Sequence, residues 1–173
     1  MADAILEQYR IGVEQRTGLV FPRFAEEAVH TAPILAVLQN PGNSGAERTL
    51  ACSLNNPDPT ARRQKRIIGD VGLRREQIVF WNFFAAFGSM GAIGIAKRSM
   101  WASELERLIR DMKSLRAVIV FGDEAWRGMR EVEIPRDVLL IGAPHPSNRS
   151  CNSNPDAENQ IRKAWARAKD CLA

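Results

Sequence analysis

The feature that most constrains this chain is a short apolar run, Ile34–Leu38, followed at once by Gln39, Asn40, Pro41, Gly42 and Asn43. The run is rich in branched side chains and bounded by Pro33 in front and amides behind, the pattern of a strand buried in a parallel sheet. The turn behind it combines three properties. Two adjacent amides can donate and accept together, a proline fixes φ, and a glycine leaves room for something to approach closely. In open α/β sheets ligands sit beyond the carboxyl ends of the strands, so this turn is a candidate site. On these residues alone, a Gly/Pro turn with polar filler is the simpler account.

Three further runs have the same character. They cover residues 77–82, ending in Asn82; residues 117–121, ending at Gly122; and residues 138–142, leading through Pro144, His145 and Pro146 to Ser147, Asn148, Arg149 and Ser150. Helical patterns lie between them. Residues 3–15 carry Leu6, Tyr9 and Val13 at helical spacing behind Asp3, a residue type suited to an N-cap. A short helical piece is expected over 24–29 and an extended segment over 50–54. A rigid loop, 55–59, then leads to a basic helix over 61–71 capped by Thr60. A Gly-rich loop, 88–94, precedes a helix whose core stripe is Trp101, Leu105, Leu108, Met112 and Leu115. Another short helix is expected over 123–130. Asn154 and Pro155 open a last one with Ile161, Trp165, Ala168 and Leu172 on one face. This alternation predicts an α/β fold: a single three-layer α/β/α domain over 1–173, with a central four-stranded, mostly parallel sheet and right-handed crossovers.

With 173 residues, 45% of them hydrophobic, the chain is long enough to bury a sizeable core. A net charge of +4 and a pI near 9.3 favour a polyanionic partner. Acidic residues stand near the N-terminus where a secretory signal carries positive charge, and no apolar run reaches the ~18 residues of a membrane span, so a cytoplasmic location is expected. Cys52, Cys151 and Cys171 are spaced too widely for a zinc ribbon, and with only His30 and His145 beside them no metal site is expected.

Three polar turns thus fall on one rim: Gln39 to Gly42, Asn82, and His145 to Ser150. Singly, each has an ordinary explanation. Asn82 can cap a turn, His145 can be satisfied by backbone, and Arg149 can be a solvated charge. Taken in order, Gln-Asn-Pro-Gly after one strand, an apolar strand ending in Asn, and His-Pro-Ser after the last strand resemble the uracil-DNA glycosylase superfamily. The stretch from Thr49 through Cys52 to Leu54, and the Pro-rich loop ending at Thr60, are similar to that family's base-stacking segment and phosphate-gripping loop. The stretch 96–101, with Lys97 and Arg98, resembles its lead-in to the central helix.

The resemblance implies a monofunctional glycosylase acting on DNA, monomeric and without metal or organic cofactor. A base inside a duplex is unreachable and must be extruded. The family position for reading uracil falls on Asn82, whose amide can accept from N3–H and donate to O4. The donor to the departing base falls on His145, acting in its neutral form, and Asn40 takes the water-orienting position. Gln39, Pro41, Gly42 and Cys52 complete the expected base pocket. Ser44, Thr60, Lys97, Arg98, Ser147 and Asn148 are the expected DNA contacts, and Arg149 takes the position of the wedge that fills the hole left by the flipped base. Arg62, Arg63, Lys65 and Arg66 read as a basic, solvated face.

The best-known branch has a carboxylate where this chain has Asn40, while the mismatch-specific branch shares Asn-Pro-Gly. Gly42 stands where the best-known branch has a Tyr that bars thymine, and Cys52 falls near its stacking Phe; Phe83 or Phe84 are alternatives for stacking, with core packing the more ordinary fate. The expectation is therefore removal of uracil. The alternatives are a mismatch-type enzyme acting on thymine, hypoxanthine or alkylated pyrimidines, a weakly catalytic binder of abasic or damaged DNA, and, lowest, a nucleotide-binding α/β domain.

Overall fold

The computed structural model describes residues 3–42, 44–88 and 97–173. Asn43, Ala96 and all of the Gly-rich loop except Gly88 lie outside them. In chain order the elements are α1 (Ala4–Thr17), β1 (Arg23–Phe24), β2 (Ile34–Leu38), α2 (Ala46–Thr49), β3 (Ala51–Cys52) and α3 (Pro59–Val71). A turn of 3₁₀ helix (Arg75–Gln77) leads to β4 (Ile78–Asn82), α4 (Arg98–Asp111), β5 (Ala117–Phe121), α5 (Asp123–Met129), β6 (Leu139–Ala143), α6 (Asn148–Ser153) and α7 (Ala157–Asp170).

The main sheet has four strands in the order β4-β2-β5-β6, every pair parallel. The apolar run Ile34–Leu38 is a central strand, with Ile34 to Val37 wholly buried. Its side chains alternate between two cores, as period 2 requires. Leu35 and Val37 join the core built with α1, α4 and α5, around Leu6, Tyr9, Trp101, Leu105 and Met129. Ile34 and Ala36 join the core under α3 and α7, around Ile67, Ile68, Ile161 and Trp165. Helices on both faces of a parallel sheet make the three-layer α/β/α architecture read from the sequence. The connection β2→β4 carries α3 on one face, and the next, β4→β5, carries α4 on the other. That change of direction opens a crevice at the carboxyl ends of the strands.

Several boundaries differ from expectation. Residues 24–29 are not helical. Arg23 and Phe24 pair in parallel with Ala51 and Cys52 in a small second sheet, and the chain then turns through Ala25, Ala28 and Val29. Six residues are too few to offset helix nucleation, and Phe24 gains more by stacking on Trp81, with ring centroids 4.1 Å apart. The extended stretch expected over 50–54 shrinks to β3. Helix α3 starts at Pro59, and its N-cap is Asp58, whose Oδ1 accepts from the Ala61 N–H at 3.0 Å. Thr60 therefore lies inside the first turn; Pro at the first helical position decides between the two cap-type residues. The loop after β6 folds from Asn148 into the short α6, with Ser147 as its cap. At the other end of the chain Asp3 caps α1, accepting from Ile5 and Leu6 at 3.0 and 3.1 Å.

Candidate functional site

The turns after β2, β4 and β6 open on one apolar cleft of about 400 Å³. Of the residues singled out from sequence, Asn40, Pro41, Gly42, Ser44, Cys52, Thr60, Asn82, His145, Ser147, Asn148 and Arg149 all line it. Gln39 does not. Its backbone carbonyl accepts from the Phe84 N–H at 2.9 Å, extending the β2–β4 pairing, and the residue borders a second, polar cleft of about 860 Å³. Lys97 and Arg98 also lie away from the apolar cleft. Lys97 stands at the start of α4, exposed, and Arg98 sits 3.7 Å from Glu124. His145 and Arg149 border both clefts and form the ridge between them.

Backbone and burial set the chemistry of each group. His145 Nδ1 accepts from the Ser147 N–H at 3.2 Å, so the ring proton belongs on Nε2. Burial holds the imidazole below its ordinary value of 6.5, against the opposing pull of the Asp58 charge. A neutral ring with one N–H to give is the result. Gly122 is shaped to this ring: it has φ of +89°, and a Cβ there would stand 3.1 Å from the His145 Cβ. Asn40 Nδ2 donates to the Pro41 carbonyl at 3.0 Å, leaving Oδ1 as the group this side chain offers to a water.

Asn82 is 5% exposed, at the end of β4. Its Nδ2 donates to Cys52 Sγ at 3.2 Å. Burial pushes the Cys52 thiol up to about 12, so the sulfur stays protonated and uncharged beside the amide. Gly42 faces open space: among the described residues, its chain neighbours aside, no atom lies within 4 Å of where a Cβ would stand.

The loop carrying His145 is braced from α3. Arg63 donates to the Pro146 carbonyl at 2.6 Å and to Asn148 Oδ1 at 3.1 Å, and its guanidinium also sits 3.4 Å from Glu158 of α7. Arg66 pairs with the same Glu158 at 2.7 Å. Part of the basic face read from the sequence is thus structural. Arg149 is exposed and makes no ion pair among the described residues.

Phe80, Asp58 and Gln64 are among the lining residues that no sequence pattern pointed to. Phe80 is the half-buried aromatic of the cleft wall, two residues before Asn82 and on the same sheet face. Phe83 and Phe84 are instead buried in the core, ring against ring at 4.9 Å. Asp58 is the carboxylate of this cleft, whereas Asp123 borders the polar one. Gln64 lines the cleft from α3 and is 1% exposed.

Among the described residues no group of three or more His, Cys, Asp or Glu could hold a metal ion, and no helix is long and apolar enough to cross a membrane. Comparison with protein-family models matches none of them, and comparison with characterised proteins finds no significant relative.

Proposed function

We propose that this chain is a DNA glycosylase that extrudes uracil, hydrolyses its N-glycosidic bond and leaves an abasic site for base excision repair. The observation that carries this reading is the convergence of Asn40, Asn82 and a neutral His145, from the ends of three strands, on one apolar cleft of about 400 Å³. An apolar cleft with a few convergent polar groups suits a planar heterocycle taken out of the stack.

Each group then has one task. Asn82 Oδ1 accepts from the ring N–H of uracil, a position where cytosine has only a lone pair. His145 Nε2–H donates to O2 of the base. As the bond from C1′ to the base nitrogen breaks, its electron pair stays with the base, and a donor aimed at the developing charge is worth ~10²–10³ in rate. Asn40 Oδ1 orients the water whose oxygen bonds to C1′. An amide cannot take the proton, which passes to solvent, and it cannot offset positive charge on the sugar. The DNA phosphates share that work, and the chemistry is slow. Thr60, in the first turn of α3, offers its hydroxyl and backbone N–H to a phosphate, since Asp58 already satisfies Ala61.

The open space at Gly42 favours a second reading within the same class. No side chain at position 42 bars the 5-methyl of thymine or the larger ring of hypoxanthine, as in a mismatch-type enzyme.

The test is incubation with labelled single- and double-stranded oligonucleotides carrying uracil, a thymine mismatch or hypoxanthine, followed by alkali cleavage. Uracil strands should be cut. Asn82→Ala should lose most of that activity while keeping its fold and non-specific DNA affinity; undiminished excision by this variant removes the assignment. Tight binding of abasic DNA with no excision of any base would leave a damage-recognition module instead.

A further inference from the structure

We infer that Gln64 is the second half of the base reader: its Nε2 is a donor held for the oxo group of the base, which makes the cleft selective for oxo bases over amino bases. The identity of the ligand as a base rests on the glycosylase reading; the held donor does not.

Gln64 lies on α3, one turn beyond Ala61, and is 1% exposed. The buried indole Nε1–H of Trp165 donates to Gln64 Oε1 at 2.7 Å. An indole nitrogen only donates, so the orientation of the amide is fixed and its NH₂ is the other end. That nitrogen is buried and has no hydrogen-bond partner among the described residues. Buried polar groups are nearly always paired, and an orphan demands an explanation. Arg75 Nε, Arg98 Nε and Trp101 Nε1 are also buried without partners, but among these four residues only Gln64 lines the apolar cleft.

The position complements Asn82. Phe80 and Asn82 share one face of β4, the face covered by α3 and α7, and the Phe80 ring lies 6.0 Å from that of Trp165. The Asn82 NH₂ gives one of its two hydrogens to Cys52 Sγ, and Oδ1 is the acceptor that this amide offers. Uracil and hypoxanthine each present a ring N–H beside a C=O, an edge that needs one acceptor and one donor. Asn82 Oδ1 supplies the first and Gln64 Nε2 the second. Cytosine and adenine present a lone pair beside an NH₂, which sets acceptor against acceptor and donor against donor.

Three variants separate this role from a structural one. Gln64→Met removes the donor. Gln64→Met/Trp165→Phe removes both partners, so that neither is left unpaired. Trp165→Phe keeps the donor and frees its orientation. The protein is titrated with uracil, hypoxanthine, cytosine, adenine and a uracil-containing oligonucleotide, while the Gln64 side-chain amide is followed by NMR and assigned by its absence in Gln64→Met. Uracil and hypoxanthine should shift that resonance and the amino bases should not. The double variant should melt no lower than Trp165→Phe alone and lose about 10- to 100-fold of the preference for uracil over cytosine, the worth of one buried hydrogen bond. Trp165→Phe should fall between, and should carry the comparison if the double variant does not fold. A Gln64 resonance unmoved by every titrant overturns the inference, and with excision of uracil intact the glycosylase reading survives. A wild-type protein that excises nothing, yet shows the shift with free oxo bases alone, overturns that reading and keeps the held donor.

Discussion

His145 shows how one side chain is tuned by its surroundings. With Nδ1 occupied by a backbone N–H and burial disfavouring the charged form, the ring works as a neutral donor. Excision should therefore need no imidazolium: the single-turnover rate should stay level or rise from pH 6 to pH 8, and a rate falling as pH rises through 6.5 would contradict the assignment. Stability carries the same sign. The folded protein binds this proton less readily than the unfolded chain, so the contribution is complete above 6.5 and is lost as pH falls from there toward the depressed folded value. Tm measured against pH should decline more steeply on the acid side in wild type than in His145→Ala. That variant should also slow excision about 10²-fold, as for one lost charge-stabilising donor. Asn40, Asn82 and His145 were legible in the sequence because they stand at, or directly behind, the carboxyl ends of apolar runs. Gln64 and Phe80 were not. Each sits inside a regular element, where a helix surface or a strand alternation already accounts for its residue type.

At the scale of elements, α3 both lines the cleft and holds the opposite loop. Asp58 caps it, and Arg63 ties it to Pro146 and Asn148. Removing the cap in Asp58→Ala should cost ~1 kcal/mol by denaturant unfolding, whereas Asp58→Asn, with a side chain of equal capping strength, should recover most of it. Equal losses in both variants would mean that the charge, not the cap, matters there. Arg63→Lys should disturb the site more than the fold, because an ammonium cannot serve two acceptors in the fixed geometry of a guanidinium. Excision should drop with little change in Tm. The helix was visible in the sequence, but its cap was placed two residues late, and the long-range partner of Arg63 was invisible. A charge pattern says which residues are cationic; only the fold says which loop they reach. The same limit explains residues 24–29, where pairing with β3 and the Phe24–Trp81 stack outweigh local helical pattern.

At the scale of the whole molecule, the sequence carried four parallel strands and two helical layers but not the order β4-β2-β5-β6, which fixes which turns share a rim. That order sets the Pro-His-Pro turn as a ridge between an apolar cleft and a polar one, with exposed Arg149 on it. A planar cation in this position can enter the gap left by an extruded base, bond to the orphaned partner and rest against its unstacked neighbours. Both contacts persist once the base has gone. Asn40 adds to the effect, because an amide, unlike a carboxylate, does not repel the phosphates of the product. Tight retention of abasic duplex should follow, with release rather than chemistry limiting repeated turnover. On uracil-containing duplex with enzyme below substrate, product should appear in a burst equal to the enzyme and then slowly. Arg149→Ala should weaken abasic-duplex binding, shrink the burst and spare activity on single strands, where no partner hole needs filling. A linear time course in the wild type, together with equal affinity for abasic and intact duplex, would remove Arg149 from this role.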